Sequence, residues 1–520
     1  MVKLGILLIA FGFSTLVIAG MAGVARRLGM TDVPGGHKLH ERPVPVVGGS
    51  GIYVVVVLMS AAAWWQPAWR GLFLPLALAS TLVFAVGLAD DFRPLRVATR
   101  FGAQALAATL AALWGGLVLN DIGALWSSQL VYLGALAVPL TVFAWVGVVN
   151  AVNMTDGIDG LSGMLTLITL VFLAIIARSV AAAAPYLFLV YALIGAVCGF
   201  LVFNLRCCGR KKAAVFLGDA GSTLLGFLLA ALLIGLSQEP VRAMSPVVAL
   251  WLCALPLFDT VTTILRRLWL GKSPFLADRS HLHHLLLDAG YSVTQSVTVL
   301  SFLHTLAGAV GLLGWRQALP DRWLFVAYLV SFAVYFYLSS RPWRLVPALR
   351  SLHEALGLTR GGVTELFIGH LPEEGAEALL RELLGERAER CQYRLYAYED
   401  GATGRRTVYA VAPVGFPGQA SRMIRDIKAR LPDGEEIVVR QFVPRSAKYD
   451  RRRKARGANG ADRRQIARQT LILDKYRDFP VSRGERPPLP ERQDLSFDGA
   501  GLQVVPVVLR DEPRPNREES

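Results

Sequence analysis

The chain has 520 residues, 53% hydrophobic and 18% charged, with a mean hydropathy of +0.44. That balance excludes an ordinary soluble globular domain and favours a membrane protein. Its charge is uneven: residues 1–350 hold 24 Lys+Arg against 13 Asp+Glu, so +11 of the net +15 lies there.

Eleven apolar runs of spanning length, roughly 17 to 25 residues, follow one another. They are Leu4 to Val24, Val47 to Trp65, Gly71 to Ala89, Phe101 to Leu119, Val131 to Val149, Leu161 to Arg178, Pro185 to Phe203, Leu217 to Leu236, Met244 to Leu265, Val297 to Gly314 and Trp323 to Leu338. The first is long for a signal peptide and ends on Arg26-Arg27, so it is expected to remain as a span. An odd number of spans puts the termini on opposite sides. The loops after odd-numbered runs hold most of the Lys and Arg, including Arg93, Arg96, Arg210, Lys211, Lys212, Arg266 and Arg267. By the positive-inside rule those loops are cytoplasmic, the N-terminus lies outside and the soluble tail inside. The five cysteines show no framework or metal-ligand spacing and read as reduced interior residues.

The same loops hold most of the acidic and histidine chemistry, which suggests a membrane enzyme rather than a scaffold. A transporter would be expected to show internal repeats or polar residues deep in broken spans, whereas these acids lie mainly at span ends. In the first loop, Lys38 and His40 are candidate cationic donors. Asp90-Asp91 closes the third run; adjacent carboxylates repel, which suits a base or a metal-organising pair. Asn153, Asp156 and Asp159, with Gly157 and Gly160, offer hard oxygen ligands on a tight backbone path, without the layout of a calcium hand. Asp219 in Gly218-Asp219-Ala220-Gly221-Ser222 opens the eighth run, where a helix N-terminus attracts phosphate and a carboxylate would hold a cation against it. His281, His283 and His284, after Arg279, lack a zinc pattern and fit a polyphosphate clamp. Asn204 completes the candidate substrate-binding set.

Taken in order, HKxH, DD, NxxDGxDGL, FLGDxGSxxLGF and SPFxADRxHLHHLLL resemble the polyprenyl-phosphate N-acetylhexosamine-1-phosphate transferases, all-α polytopic enzymes of eleven helices. Pro256-Leu257-Phe258-Asp259, Arg266-Arg267 and Ser273-Pro274-Phe275 make the chain most similar to the bacterial undecaprenyl-phosphate GlcNAc-1-phosphate transferase branch, over roughly residues 1 to 340. The resemblance implies a magnesium- or manganese-dependent transfer from a UDP-N-acetyl sugar to a polyprenyl phosphate in the bacterial inner membrane. It implies Asp90, Asp91 and Asp219 as catalytic residues and Asp219 with Asp156 at the metal. It also implies Asn153, Asp156 and Asp159 near the nucleotide, and the histidines near the pyrophosphate. Two departures are His37, where Arg is common, and Ala214, where a basic residue is frequent.

The transferase domain is expected over residues 1–345. In 357–446 the periodicity gives the order β-α-β-β-α-β, suggesting a small ferredoxin-like cytoplasmic domain, and 447–520 is basic, then Pro-rich, and expected to be disordered. No nucleic-acid partner is expected, a homodimer is compatible with the sequence, and the partner of the small domain is unknown.

Overall fold

The computed structural model describes residues 2–28, 31–32, 44–207, 209–210, 212–269, 271, 273, 281–356, 364–372, 375–385, 394–399, 406–414, 417–431 and 437–441. By its internal contacts the chain divides into two units, residues 1–346 and 347–520.

The first unit is helical. Its order is α1 (Val2–Leu28), a two-residue ladder of β1 (Thr31–Asp32) on β2 (Val44–Pro45), α2 (Gly48–Ala63), α3 (Arg70–Phe92), α4 (Val97–Leu113), α5 (Ala137–Thr155), α6 (Leu161–Ala177), α7 (Ala184–Asn204) and α8 (Gly218–Ser237). There follow α9 (Pro246–Leu252), α10 (Ala254–Trp269), α11 (Leu282–Asp288), α12 (Val293–Arg316) and α13 (Asp321–Ser339), and the boundary between the units falls within α14 (Pro342–Ala355). Each of the eleven expected runs contains a helix, but among the described residues only seven helices are long and apolar enough to cross a membrane. The pair α9–α10, bent by 82° at the break, is either an eighth, broken span or a re-entrant loop. Helices α2, α4 and α6 have 16 or 17 residues, which at 1.5 Å per residue falls short of a hydrocarbon core of about 30 Å.

Apolar surface gains little by leaving lipid for another apolar helix, so close packing and polar contacts must hold such helices together. The small residues serve the first need. Helix α8 is the central post, with every residue of its apolar window buried inside the protein, and α2, α3, α5, α6, α7 and α9 pack around it. A Cβ on Gly49 of α2 would lie 2.6 Å from the Gly221 nitrogen, so these backbones touch. Polar groups meet the second need. Trp145 Nε1 donates to the Phe227 carbonyl at 3.0 Å, and Asn150 Nδ2 donates to Gln104 Oε1 at 2.8 Å. At the other end of α8, Gln238 Oε1 accepts from the Asn120 and Asp121 amides at 2.9 and 3.2 Å, while Arg242 pairs with the buried Asp121. Helix starts follow local chemistry: Ser245 accepts from the Val248 amide ahead of Pro246, and Ser292 with Gln295 forms a capping box before α12.

Cys198 is half-buried and Cys253 buried, but Cys207 is exposed, correcting the reading of all cysteines as interior. It follows the end of α7, where the chain leaves the helical core. Cys208 and Cys391 lie outside the described residues.

The second unit holds β3 (Thr364–Leu371), α15 (Ala376–Leu384), β4 (Arg394–Glu399), β5 (Arg406–Val414), α16 (Pro417–Lys428) and β6 (Val438–Gln441). This is the β-α-β-β-α-β order read from the sequence. The strands form one antiparallel sheet in the order β4-β5-β3-β6. Leu366, Ile368, Leu380, Leu383, Ala410, Met423, Ile427 and Val439 fill its core. The tail of 447–520 lies outside the described residues.

Candidate active site

The site forms where the C-terminal end of α3 meets the N-terminal end of α8. A Cβ on Gly87 of α3 would lie 2.6 Å from Ala220 Cα, so only glycine lets α3 approach so closely. One turn further on, Asp91 reaches across. Its two carboxylate oxygens accept from the Asp219 amide at 2.8 Å and the Ala220 amide at 3.1 Å. The phosphate cradle expected at this helix start is therefore filled by a carboxylate of the protein itself, which takes two amide donors the helix cannot use internally. Gly218, at φ +78°, has Asp91 Oδ2 2.7 Å from where a Cβ would sit. Any side chain there would be strained and would also displace Asp91.

Asp90 turns the other way. It accepts from the Leu95 amide at 2.6 Å and pairs with Arg100 Nη1 of α4 at 2.9 Å, close enough to Asp219 for their carboxylates to interact directly. A small cleft opens here, lined by Val83, Val86 and Ala103 together with Asp90, Arg100 and Asp219. Apolar walls beside one cation and two carboxylates suit a ligand that is part hydrocarbon and part phosphate.

The loop between α5 and α6 supplies the other wall. Asn153 Nδ2 donates to Asp219 Oδ1 at 2.7 Å and to Ser222 Oγ at 2.8 Å, fixing the Asp219 carboxylate from the α5 side. Asp159 accepts from Arg206 Nε at 2.7 Å and the Ala213 amide at 3.1 Å. Asn204 lies beneath this loop: its Oδ1 accepts from the Gly160 amide at 2.7 Å, and its Nδ2 donates to the Val215 carbonyl at 2.9 Å. It braces the loop, with its buried amide used at both ends. Withdrawal from water, followed by the charges of Asp219, Asp91 and Asp159, pushes the Asp156 carboxyl up to about 8.

The histidines arrive at the start of α11, His281 just before it and His283 and His284 in its first turn. The His281, His283 and His284 rings cluster with centroids 4.2 to 6.5 Å apart. His283 is buried against Gly157, in the loop that carries Asp156 and Asp159. Burial and then the His284 charge push its imidazole down to about 3, so it is neutral at pH 7.

Thus Asp90, Asp91, Asn153 and Asp219 form one hydrogen-bonded and electrostatic cluster, with Asp156, Asp159 and the histidines around it. Lys38, His40 and Arg279 lie outside the described residues. Sequence reasoning missed Arg100 and Gln104. Their only signal was a polar pair one turn apart in an apolar run.

Among the described residues no three His, Cys, Asp or Glu converge as a ready-made metal cage. The donor chemistry still suits a hard divalent ion. Several carboxylates crowd together, and burial followed by the others' charge raises the Asp156 carboxyl, an arrangement that a cation with water and phosphate ligands would relieve.

A helical membrane protein with a carboxylate cluster where the ends of its apolar helices meet is the class that fold and site define. The chain belongs to glycosyl transferase family 4, whose model matches residues 73–237. It is 33% identical over 357 residues to the undecaprenyl-phosphate alpha-N-acetylglucosaminyl 1-phosphate transferase of Escherichia coli strain K12, covering 68% of this chain and 96% of that one. The enzymes of the same name from Yersinia pestis (34% over 341 residues, 65% and 92%) and Haemophilus influenzae (33% over 342 residues, 65% and 94%) are similarly related.

Proposed function

We propose that this protein transfers N-acetylhexosamine-1-phosphate, GlcNAc-1-phosphate first among the candidates, from the UDP-sugar to undecaprenyl phosphate. The lipid phosphate oxygen bonds to the sugar-bearing β-phosphorus, the bond to the bridging oxygen breaks, and UMP leaves. The product begins a lipid-linked cell-surface glycan. The observation that carries this reading is the meeting of Asp90, Asp91 and Asp219 beside a cleft with apolar walls, in a chain whose relatives bear the name above. Phosphoryl transfer asks for positioning and charge neutralisation more than for covalent help from side chains.

In this reading Asp90, held by Arg100 and the Leu95 amide, orients the lipid phosphate or takes its proton. Asp91 fixes the start of α8 and so fixes Asp219. Asn153 and Asp159 hold the loop against the nucleotide, and the histidines face the pyrophosphate. Asp219 and Asp156 would hold magnesium, or manganese, which supplies positive charge to the pyrophosphate when bound. The charge bias of the loops supports reading the site at the cytoplasmic face of the inner membrane, in a chain of eleven crossings with its N-terminus outside. The sheet order of the second unit supports reading it as a ferredoxin-like domain.

Purified protein given UDP-GlcNAc and undecaprenyl phosphate should release UMP only when both are present. Release from another UDP-N-acetyl sugar alone would change the donor, and no release from any would remove the reaction. Asp90→Asn should abolish turnover yet leave UDP-sugar affinity, measured by calorimetry, within about twofold. An affinity loss equal to the rate loss would move Asp90 to the nucleotide.

The boundary between the two units precedes the small sheet, and every candidate residue lies before it. A chain stopped after about residue 355 should therefore insert and keep substantial activity in detergent. If it inserts, binds UDP-sugar and fails to transfer, the second unit completes the site.

A further inference from the structure

Asp259, in the second turn of α10, is a buried carboxylate that the assignments above leave unused. Its Oδ2 takes His281 Nδ1 at 2.8 Å, and its Oδ1 accepts from the Leu282 amide at 3.0 Å and from the Tyr335 hydroxyl of α13 at 2.7 Å. Three donors from two distant stretches of chain thus converge on one side chain. The Phe258 ring packs between Tyr328 and Tyr335, with centroids 4.8 and 5.8 Å away, so α13 holds this corner of α10 in place.

The arrangement constrains His281 in two ways. A carboxylate can only accept, so Nδ1 must carry the hydrogen, and Nε2 is the nitrogen left to face other groups. The Leu282 amide on the other oxygen fixes the backbone next to the ring, so position and tautomer are set together. His281 lies parallel to His283, 5.6 Å away and 6° between planes, and His283 rests on Gly157 of the carboxylate-bearing loop. A shift at Asp259 would therefore be felt by the histidine group that closes against Asp156 and Asp159.

We infer that Asp259 and Tyr335 are positioning residues of the transfer reaction: they act through His281, holding its Nε2 toward the diphosphate of the bound nucleotide sugar. This inference rests on the function proposed above.

The decisive variant is Asp259→Asn, which has the same shape but only one accepting oxygen. With the oxygen kept on the two donors Leu282 N–H and Tyr335 O–H, its NH₂ faces His281 and drives the hydrogen to Nε2. In the full-length protein, kcat should fall by about 10²-fold or more, by analogy with the loss when a histidine's carboxylate partner becomes an amide, while the KM for UDP-GlcNAc changes far less. Tyr335→Phe, which leaves two donors on Asp259, should lose about 3- to 10-fold. In a His281→Gln background, Asp259→Asn should cost nothing further in kcat, because both changes break one linkage. A second readout is independent of turnover: in ¹⁵N-histidine spectra, assigned to His281 by its absence from His281→Gln, Asp259→Asn should move the hydrogen from Nδ1 to Nε2. Undiminished kcat in folded Asp259→Asn would overturn the inference. So would a full extra loss in the His281→Gln background, or an unchanged His281 tautomer. Lack of UMP release by the wild-type protein would instead sink the proposed reaction, with the tautomer spectra still reporting on the Asp259 linkage.

Discussion

Replacing Asp219 by asparagine is expected to abolish turnover, by at least about 10³-fold, and to leave the protein as stable as before or slightly more so. The carboxylate sits at the start of α8 among Asp90, Asp91 and Asp156, all acids, so removing one charge relieves repulsion in the folded state. Its partner is not orphaned either. Asn153 Nδ2 donates to Asp219 Oδ1, and the carbonyl oxygen of an asparagine can accept the same bond. What the variant cannot do is bring a full negative charge to a divalent ion. UMP release and thermal unfolding should be followed together, across a magnesium titration. Normal activity at limiting magnesium would remove Asp219 from the metal, and a large drop in Tm would show that its charge holds the fold.

The second large effect concerns a residue without a side chain. Gly87→Ala places a methyl group 2.6 Å from Ala220 Cα, 2.8 Å from the Ala220 nitrogen and 2.9 Å from the Asp219 carbonyl oxygen. These are backbone atoms of a buried helix, so no side chain can swing aside, and α3 must move away from α8. Overpacking of this kind costs about 1–3 kcal/mol. Because Asp90 and Asp91 ride on α3 and Asp219 on α8, the same movement opens the cluster. A displacement of about 1 Å is enough to lose about 10²-fold in rate. Gly71→Ala, in the same helix with nothing within 4 Å, is the control and should change neither quantity. Wild-type kcat and Tm in Gly87→Ala would mean that the helices adjust without disturbing the acids.

The acids, amides and histidines of the site were readable because they interrupt apolar runs at their ends, and their order along the chain is distinctive. The helical segments were readable for the same reason. The pairings were not. Asp91 caps a helix that starts 127 residues later, and Tyr335 reaches Asp259 across 76 residues. Nothing local marks either contact. In a soluble helix, polar residues would reveal which face is outside. Here lipid-facing and protein-facing sides are both apolar, and the 3.6-residue pattern that would orient α3 or α8 is erased. Gly87 and Gly49 therefore carry no local mark of their close approaches, and nothing near Asn204 shows which backbone groups it joins.

The complete enclosure of α8 separates the reaction centre from the mechanics of the bilayer. Helices that border lipid tilt or stretch when the membrane thickens or thins. A post surrounded on every side by other helices has no such surface, so Asp219 and the loop bound to it keep their spacing whatever acyl chains surround the protein. Swapping host lipids should then alter how readily the long-tailed acceptor enters, read as a change in its KM, while kcat at saturation stays constant.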